Sequence, residues 1–600
     1  MSQVATLSQL INANATARQD RAALIRPDGS SWTHSQLRRS VEDVARALRH
    51  QGVTAQDRVV IVCPSGVDAA IGFLGTTSCA IAAPLNPRLS PDDFSFYLRD
   101  LEPTLVLTTE SADPALMGIA EGLGIPVFKL PLVTHPPTAF PIEDDKLDMD
   151  SPQPDDVALV LYTSGTTSKP KRVPLRHAQL TSSARNIAET LELSQDDRCL
   201  NVMPLFHIHR LIAGLLASLV AGASVICTDG FDDTRFLAWL SQLHPTWTTA
   251  VPTIHQALLS QLSEHDLDRL VEHTLRFVRS SSSAMPLRVI SELEQRLGVP
   301  VIEAYGMTEA THQITSNPLP PRQRKPGSVG CPTNVELSIL DVNSRTQPCN
   351  TIGEIALRGA TITTGYEDNP GANAVAFADG WFRTGDQGRI DADGYLFLTG
   401  RTKEMINRGG EKISPRDIDD ALLDHPDVAQ AIAFAVDHPS MGEDVAAAVV
   451  LKPNAKATEG SLRAHLLERI SEHKVPSRIV FVDEIPKGPT GKLQRIGLAM
   501  KLGTELRIPY VAPESEIERT LANIWCEVLR VDRVGRDDHF FSLGGDSLSA
   551  SRVLTRVTAR MDVHLSLRQM FDSPTLKEQA IALAQEMTSL DRRLPAHDDE

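Results

Sequence analysis

Short apolar, β-branched runs alternate with helical patterns over the first 400 residues of this chain. Three of the runs read as buried strands: residues 59–63, 105–108 and 157–162. Ahead of the first run, four apolar residues recur at helical spacing: Leu37, Val41, Val44 and Leu48. Strands that alternate with helices pair into parallel sheets. The sequence therefore predicts a large α/β domain over residues 1–400.

The character of the sequence changes twice after this domain. A short charged segment, residues 400–404, precedes a smaller α+β pattern, which predicts a second domain over residues 401–505. Two prolines favour an extended linker over residues 506–514. Beyond it, residues 515–586 have a mostly helical pattern. Residues 587–600 are rich in Asp, Arg and Pro, which predicts a disordered tail.

Charge and cysteine content exclude several classes of partner and site. The formal net charge is −17, which argues against nucleic acid or an anionic membrane as a partner. The seven cysteines are scattered without a CxxC pair, so neither a disulfide framework nor a zinc site is indicated. The most apolar stretch, residues 211–226, falls short of the roughly 20 residues that span a bilayer. The first residues lack the pattern of a signal peptide, so we expect a cytoplasmic protein.

The third predicted strand runs directly into residues 163–171, TSGTTSKPK. Hydroxyls, a glycine and two lysines at the carboxyl end of a strand suit a polyphosphate, whose oxygens accept hydrogen bonds from backbone N–H groups and hydroxyls. The segment lacks the GxxxxGK[ST] pattern of P-loop NTPases. Taken alone it also fits a polar surface turn, so the choice depends on the other motifs.

Four further motifs follow in order: EAYGMTE (303–309), GWFRTGD (380–386), GR (400–401) with RGGEKISP (408–415), and PKGPTGK (486–492). Together with the phosphate loop, they resemble the adenylate-forming superfamily of acyl-CoA synthetases, peptide-synthetase adenylation domains and luciferases. The resemblance spans roughly residues 10 to 500. It implies stacked sheets plus a small β-barrel in residues 1–400 and a mobile lid in residues 401–505.

The implied reaction is the ATP-dependent activation of a carboxylic acid. The acid attacks the α-phosphate of ATP and forms acyl-AMP and pyrophosphate, so the protein positions the reactants and stabilises spread negative charge. Glu309 would bind Mg²⁺, with Thr308 near the α-phosphate. Tyr305 would stack on adenine, while Asp386 and Arg401 would hold the ribose. The resemblance assigns the phosphates to Ser164, Gly165, Thr166, Thr167, Lys169 and Lys171.

Three more roles come from matched positions. Lys492 would bridge the acid's carboxylate and ATP during adenylation; its alternative is a solvated loop lysine. Lys403 matches the hinge about which the lid swings between an adenylating and a thioester-forming pose. A surface lysine at a domain boundary fits Lys403 nearly as well. His207 matches the gate between the acyl pocket and the pantetheine tunnel.

The helical segment carries a second resemblance. The sequence DDHFFSLGGDSL, residues 537–548, looks like that of an acyl/peptidyl carrier domain, which is a four-helix bundle. That family attaches 4′-phosphopantetheine to the serine, here Ser547. A serine just before a helix is otherwise an ordinary N-cap. A flexible arm gives a high effective thiol concentration near the adenylate, so loading within one chain is geometrically reasonable.

Three segments resemble the oxalate–CoA ligase branch: PLFHIH (204–209), AVPTIHQ (250–256) and TEATHQITSNPLP (308–320). Amino-acid adenylation domains usually place an aspartate early in the pocket, and we identify none here. Ser281, Ser282, Ser283 and His312 would instead form a small polar pocket for a second carboxylate. The alternative is that the serine run only lines the AMP site.

Three residues depart from the family pattern. Ser168 and Arg172 replace two glycines of the TGxPKGV pattern, which would strain the loop if either position needs a positive φ. Arg172 could also add a phosphate contact. Arg210 replaces a glycine after HxH, where it would either close the tunnel or pair with an additional carboxylate of a di- or tricarboxylic acid.

The leading hypothesis is an adenylation–carrier enzyme that loads an organic acid onto its own phosphopantetheine arm for a biosynthetic pathway. A phosphopantetheinyl transferase and a downstream acyl-accepting enzyme would be its partners. The alternative is a ligase that transfers the acyl group to free CoA. A third reading, a nucleotide-binding protein without activity, is disfavoured because Glu309, Asp386, Arg401 and Lys492 are all present.

Overall fold

The structure is a computed structural model. It describes residues 5–591 apart from 111, 131–151, 164–169, 262–272, 439–440, 487–494, 507–509, 541–542, 544, 546, 567–568 and 571–572. The chain divides into two compact units, Met1–Leu398 and Thr399–Glu600.

A six-stranded sheet of the first unit contains the three strands predicted from the sequence. Its strands are parallel except for the last pair, which is antiparallel. Their spatial order is Val127–Leu130, Leu105–Thr109, Arg58–Val62, Ile81–Pro84, Val157–Thr163 and Lys171–Arg176. The predicted strands are therefore confirmed, and the predicted phosphate loop joins the antiparallel pair at one edge of the sheet.

A second, nine-stranded sheet has a parallel centre and antiparallel edges. Its order is Cys331–Pro332, His312–Ser316, Val301–Met307, Phe277–Ser280, Trp247–Ala250, Arg198–Asn201, Ser224–Cys227, Ala22–Ile25 and Ser31–Thr33. Side chains from both large sheets, among them Ile61 and Trp247, share one buried hydrophobic cluster. The predicted α/β class is confirmed by this arrangement.

A five-stranded sheet completes the unit. Its described pairs are antiparallel. The strands are Glu336–Leu340, Gly353–Arg358, Trp381–Ile390, Phe377–Ala378 and Leu396–Arg401, the last of which pairs with Trp381–Ile390. The strand Leu396–Arg401 is where the chain passes from the first unit into the second.

Helices cover the two large sheets. The predicted amphipathic helix is His34–His50, which starts at a Thr33 capping box and buries all four of the apolar residues named above. The other α-helices are Leu7–Ala17, Val67–Thr77, Pro91–Leu101, Pro114–Gly122, His177–Thr190, Ala217–Ala221, Asp233–Leu243, Pro252–Gln261, Leu287–Leu297 and Pro370–Ala376. A π-helix, His209–Leu216, begins at the end of the motif PLFHIH, and a 3₁₀ turn, Thr308–Ala310, begins within the motif EAYGMTE.

The second unit begins with a sheet of five strands: Glu411–Ile413, Ile406–Arg408, Gly442–Leu451, Val428–His438 and Arg478–Phe481. Its helical segments before the linker are Pro415–Leu423, Glu459–Leu467, Glu472–Lys474, Leu498–Lys501 and Gly503–Leu506. Arg495 forms ion pairs with Glu404 at 3.1 Å and Asp419 at 2.6 Å, which ties the start of this α+β region to its end.

The carrier segment contains three α-helices in its described residues: Glu516–Leu529, Ser547–Met561 and Leu576–Asp591. Trp525 and Phe540 meet edge to face at the centre of its hydrophobic cluster, with ring centroids 5.0 Å apart. Residues 592–600, the end of the predicted tail, lie outside the described residues. Across the described part of the chain, no helix is both long and apolar enough to cross a membrane.

Candidate active site

One β-hairpin of the nine-stranded sheet carries several predicted site residues. Its strands, Val301–Met307 and His312–Ser316, change register between Tyr305 and Gly306. A Cβ at Gly306 would lie 1.5 Å from the carbonyl oxygen of His312, so only glycine permits this close approach. Thr311 and His312 have φ values of +50° and +88°, which are uncommon for non-glycine residues and typical of functional sites.

The hairpin brings Tyr305 to Asp386, two residues predicted to bind the nucleoside. The Tyr305 hydroxyl donates to Asp386 Oδ2 at 2.5 Å, and both residues are buried. Asp386 follows Gly385, whose φ of +73° marks an irregularity in the strand Trp381–Ile390. A carboxylate has several acceptor sites, so Asp386 retains the capacity to accept from ribose hydroxyls.

The turn after the hairpin's first strand holds Glu309, the predicted Mg²⁺ ligand. Its Oε1 atom accepts from the Tyr366 hydroxyl at 2.9 Å. Lys171, predicted to bind phosphate, lies with Nζ 4.3 Å from the centroid of the Tyr366 ring. Tyr366 therefore contacts one residue predicted to hold phosphate and one predicted to hold the metal.

Arg172, one of the two residues that replace family glycines, is surrounded by carboxylates. Its side chain is 13% exposed and forms ion pairs with Asp100 at 3.3 Å, Glu367 at 3.1 Å and Asp368. These carboxylates raise the pKa of its guanidinium against the opposing effect of burial. Arg172 also has ordinary extended strand backbone, so the missing glycine causes no strain at this position. The described contacts of Arg172 therefore form a carboxylate network, and its phosphate contact stays a prediction.

A second arginine, Arg279, is fully enclosed beside the predicted acid pocket. It lies on the strand Phe277–Ser280, and burial lowers its pKa to about 9, which keeps it charged at neutral pH. Nη1 donates to His209 Nε2 at 3.2 Å, and Nη2 donates to His312 Nε2 at 3.2 Å and to Gln313 Oε1 at 2.9 Å. Within the described residues, no carboxylate contacts this guanidinium.

These contacts fix the direction of the neighbouring hydrogen bonds. A guanidinium only donates, so Nε2 of His209 and of His312 accepts, and the proton of each neutral ring lies on Nδ1. His209 Nδ1 then donates to Ser282 Oγ at 3.1 Å, which leaves the Ser282 O–H to donate in turn. The two imidazoles stack with centroids 4.8 Å apart. Arg279 thus starts a relay of donors that ends at Ser282 and His312, and such an arrangement suits an anion.

Comparisons with known proteins agree with this geometry. The profile of the AMP-binding enzyme family matches residues 11–367, that of the AMP-binding enzyme C-terminal domain matches 417–492, and that of the phosphopantetheine attachment site matches 519–583. The chain belongs to the AMP-binding enzyme family. It is an adenylate-forming acid–thiol ligase that uses ATP and a carboxylic acid.

Several similar proteins are CoA ligases. The oxalate–CoA ligase of Arabidopsis thaliana is 41% identical over 501 residues, which cover 82% of this chain and 97% of that protein. The sulfoacetate–CoA ligase of Cupriavidus necator is 36% identical, with 82% and 97% covered. A solved structure of the anthranilate CoA ligase AuaEII with anthranoyl-AMP has a TM-score of 0.75 at 26% identity and covers 84% of this chain and 98% of its own.

The structure does not bring all predicted site residues of the ligase together. Ser281 is buried, Ser282 joins the relay with φ +76°, and Ser283 is exposed. Arg210, at the start of the π-helix, donates through Nη2 to the carbonyl of Thr228 at 2.8 Å. Burial lowers its pKa to about 10. The Thr228 carbonyl is not among the groups to which Arg279 donates.

Two other predicted residues of the first unit are half-buried, and the rest lie in the second unit or outside the described residues. His207 is half-buried beside Phe206, with ring centroids 4.4 Å apart, and Thr308 is half-buried in its turn. In the second unit, Arg401 and Lys403 are exposed, and Ser547 is the first residue of a 15-residue helix. The predicted residues that lie outside the described part are Ser164, Gly165, Thr166, Thr167, Lys169 and Lys492.

Metal binding at Glu309 fits a particular mode. Within the described residues, no group of three or more His, Cys, Asp or Glu side chains could hold a metal. Mg²⁺ bound with a nucleotide typically uses one or two carboxylates plus phosphate oxygens. A single buried carboxylate at Glu309 fits that mode, in which the metal would neutralise phosphate charge.

Sequence reasoning missed Arg279, His209 and Tyr366 as site residues. Arg279 carried a usable signal, because it is a charged residue that directly follows the apolar pair Phe277 and Val278 in a short strand. A buried charge needs a partner or a function. His209 lies inside a quoted motif, but its contacts depend on a strand more than 60 residues further along the chain. Tyr366 lies outside every motif that we used.

Proposed function

We propose that this ligase adenylates a small dicarboxylic acid and loads it onto the phosphopantetheine arm of its own carrier domain. The observation that carries the proposal for the acid is the donor relay from Arg279 to Ser282 and His312. The carrier assignment is supported by the phosphopantetheine attachment profile over residues 519–583 of the same chain. We place the adenylating domain in residues 1–400, the lid in 401–505 and the carrier in 515–586.

Adenylation requires that negative charge be held and then redistributed. A carboxylate oxygen of the acid bonds to the α-phosphorus of ATP, and the bond from that phosphorus to the pyrophosphate oxygen breaks. Lys492 would neutralise charge on the acid and the α-phosphate, and Glu309 would hold Mg²⁺. Ser164, Thr166, Thr167, Lys169 and Lys171 would hold the departing phosphates. Tyr305, Asp386 and Arg401 would keep the nucleoside in place.

The second half-reaction forms the thioester. The arm on Ser547 supplies a thiol, which replaces AMP on the acyl carbon and loses its proton. Lys403 would be the hinge between the two poses of the lid, and His207 would open the path to the acyl pocket. A phosphopantetheinyl transferase must install the arm, and a downstream enzyme must accept the acyl group.

The relatives support a second acidic group on the substrate. Oxalate and sulfoacetate, the acids in the names of two similar ligases, each carry one acidic group besides the carboxylate that is activated. We assign the second group of this ligase's substrate to His312 and Ser282, oriented by Arg279. Arg210, predicted from sequence either to pair with an additional carboxylate or to close the tunnel, donates to the Thr228 carbonyl, whereas Arg279 contacts the pocket histidines.

Transfer to free CoA is the second candidate function, and the CoA-ligase relatives favour it. The two candidates share the adenylation step and differ only in the thiol. They are separated by removing the attachment serine.

The test is intact mass spectrometry of the full chain after treatment with a phosphopantetheinyl transferase, CoA, ATP, Mg²⁺ and a panel of mono- and dicarboxylic acids. We expect the wild-type protein to gain the mass of the arm and then of a dicarboxylic acyl group. Ser547→Ala should gain neither, while Ser549→Ala, a matched serine on the same helix, should behave as wild type.

The small-molecule products of the same reactions identify the thiol that accepts the acyl group. Acyl-CoA formed by Ser547→Ala at the wild-type rate, with no acyl group on the wild-type chain, would replace the carrier proposal with the CoA ligase. Loading of monocarboxylic acids in preference to dicarboxylic acids would contradict the assignment of the pocket.

A further inference from the structure

A segment of the first unit, residues 363–368, crosses two elements of the nucleotide site. The Thr363 N–H donates to the Glu309 carbonyl at 2.8 Å, and the Thr363 hydroxyl donates to the Pro174 carbonyl at 2.9 Å. The Glu367 N–H donates to the Arg172 carbonyl at 3.0 Å. We call residues 363–368 the crossing segment. It connects the turn of Glu309 to the strand that follows the phosphate loop.

Tyr366 lies at the centre of the crossing segment and is held from both sides of its backbone. Its N–H donates to Asn373 Oδ1 at 2.7 Å, and Asn373 Nδ2 donates to its carbonyl at 2.8 Å. The side chain is buried at 8% exposure. Because backbone and ring are both fixed, the phenol has little freedom to choose other partners.

The carboxylate network of Arg172 anchors the far end of the segment. Glu367 pairs with Arg172 and with Arg58, and Asp368 pairs with Arg172. The arginine that replaces a family glycine therefore joins the crossing segment to the strand Lys171–Arg176. This attachment lies directly beside Lys171 in the chain.

The phenol of Tyr366 touches two opposite charges through two different parts of its surface. The ring face attracts the Lys171 ammonium, whose Nζ is 4.3 Å from the centroid, and the hydroxyl donates to Glu309 Oε1 at 2.9 Å. One side chain therefore contacts both charged groups and restricts the direction of each.

We propose that Tyr366 is a positioning residue that orients both Lys171 and Glu309 towards the same magnesium polyphosphate. The proposal rests on the nucleotide-binding function given above. A ligand that combines a divalent cation with phosphate oxygens needs an anion and a cation side by side. Tyr366 supplies that arrangement with a single side chain.

The test is calorimetric titration of ATP into the full chain over a series of Mg²⁺ concentrations, which measures binding without turnover. Tyr366→Phe removes the hydroxyl and keeps the ring. We expect it to raise the Mg²⁺ concentration needed for half-maximal ATP binding about 10-fold, as for a lost hydrogen bond to a charged group, with metal-free ATP binding unchanged. Tyr366→Leu also removes the ring, and should weaken metal-free ATP binding by about 3- to 10-fold.

Tyr395→Phe is the matched control. Tyr395 is also a buried tyrosine of the first unit that donates its hydroxyl, here to the Gln323 carbonyl, with Lys325 Nζ 4.6 Å from its ring. We expect no change in either titration. A loosened fold in Tyr366→Phe would shift the metal-free and the Mg²⁺-dependent binding together and would contradict the proposal.

Glu309→Gln separates this proposal from the function on which it rests. If Glu309→Gln raises the Mg²⁺ requirement and Tyr366→Phe does not, the positioning role of Tyr366 is overturned and the metal role of Glu309 stands. If neither variant changes the requirement, both roles fail together.

Discussion

Two regions of the first unit each bury an arginine, and they balance its charge in opposite ways. Arg172 is surrounded by carboxylates of Asp100, Glu367 and Asp368. Among the described residues, Arg279 contacts uncharged acceptors only, namely two imidazole nitrogens, an amide oxygen and the Thr249 hydroxyl. Removing a cation from water costs several kcal/mol unless a counter-charge offsets it.

The difference separates a structural arginine from one that prepares a binding site. The charge of Arg172 is balanced within the chain, so its effect is to join backbone segments. The charge of Arg279 is unbalanced among the described residues, so positive potential remains in the pocket for an anion. Substitutions at the two arginines test whether this distinction holds.

Arg279→Met should have the largest effect. It removes the charge and the donors that set the tautomers of His209 and His312, so the second acidic group loses its partners. Truncating one member of a buried charged interaction costs about 2–5 kcal/mol. We therefore expect kcat/KM for a dicarboxylic acid to fall about 100- to 1,000-fold, measured by ATP–pyrophosphate exchange, with most of the change in KM.

Arg210→Met is the control for this comparison because it removes another fully buried guanidinium from the same unit. We expect the ratio of dicarboxylic to monocarboxylic activity to stay at the wild-type value in Arg210→Met and to collapse in Arg279→Met. The reverse result would show that Arg210, and not Arg279, selects the second acidic group. An equal loss in both variants would mean that neither arginine selects the acid.

Arg172→Leu should reduce stability and leave selectivity unchanged. Without the guanidinium, Asp100 and Glu367 lose their shared partner, but all of these groups are partly solvated. We expect the free energy of unfolding to fall by about 1–2 kcal/mol, measured as a lower urea midpoint with the same ratio of dicarboxylic to monocarboxylic activity.

The control is Arg322→Leu, which breaks an exposed pair with Glu192 whose side chains are 57% and 55% exposed. Such pairs contribute at most about 1 kcal/mol, so its midpoint should stay close to that of the wild type. A change in acid preference for Arg172→Leu would show that its charge reaches the pocket, and the contrast with Arg279 would fail.

On the nucleotide side of the proposed site, short sequence motifs predicted residues that the structure brings into contact. Its motifs are short and local: EAYGMTE carries Tyr305 and Glu309, and GWFRTGD carries Asp386. The structure brings Tyr305 and Asp386 into contact although they are 81 residues apart. Strand and helix patterns in residues 1–400 were also sufficient for the α/β class. A hydrophobic pattern indicates which residues of a segment are buried, and it can be recognised within that segment alone.

The acid pocket could not be predicted in the same way. Its residues come from four separate places, and the relay depends on which nitrogen of each imidazole accepts from Arg279. The serine run suggested three equivalent side chains, but in the fold one is buried, one joins the relay and one is exposed. The spacing of residues in a sequence predicts neither the tautomer of a histidine nor the different burial of neighbouring serines.

Ser282→Ala should have the smallest effect and the most specific one. The Ser282 hydroxyl accepts from His209 Nδ1 at 3.1 Å and ends the relay as a neutral donor. A neutral hydrogen bond contributes about 0.5–1.5 kcal/mol, so KM for a dicarboxylic acid should rise about 2- to 10-fold with kcat little changed. Ser283→Ala, the exposed neighbour, should leave KM unaltered. If the two variants are equivalent, the relay does not extend beyond the imidazoles, and the second acidic group is recognised by His312 alone.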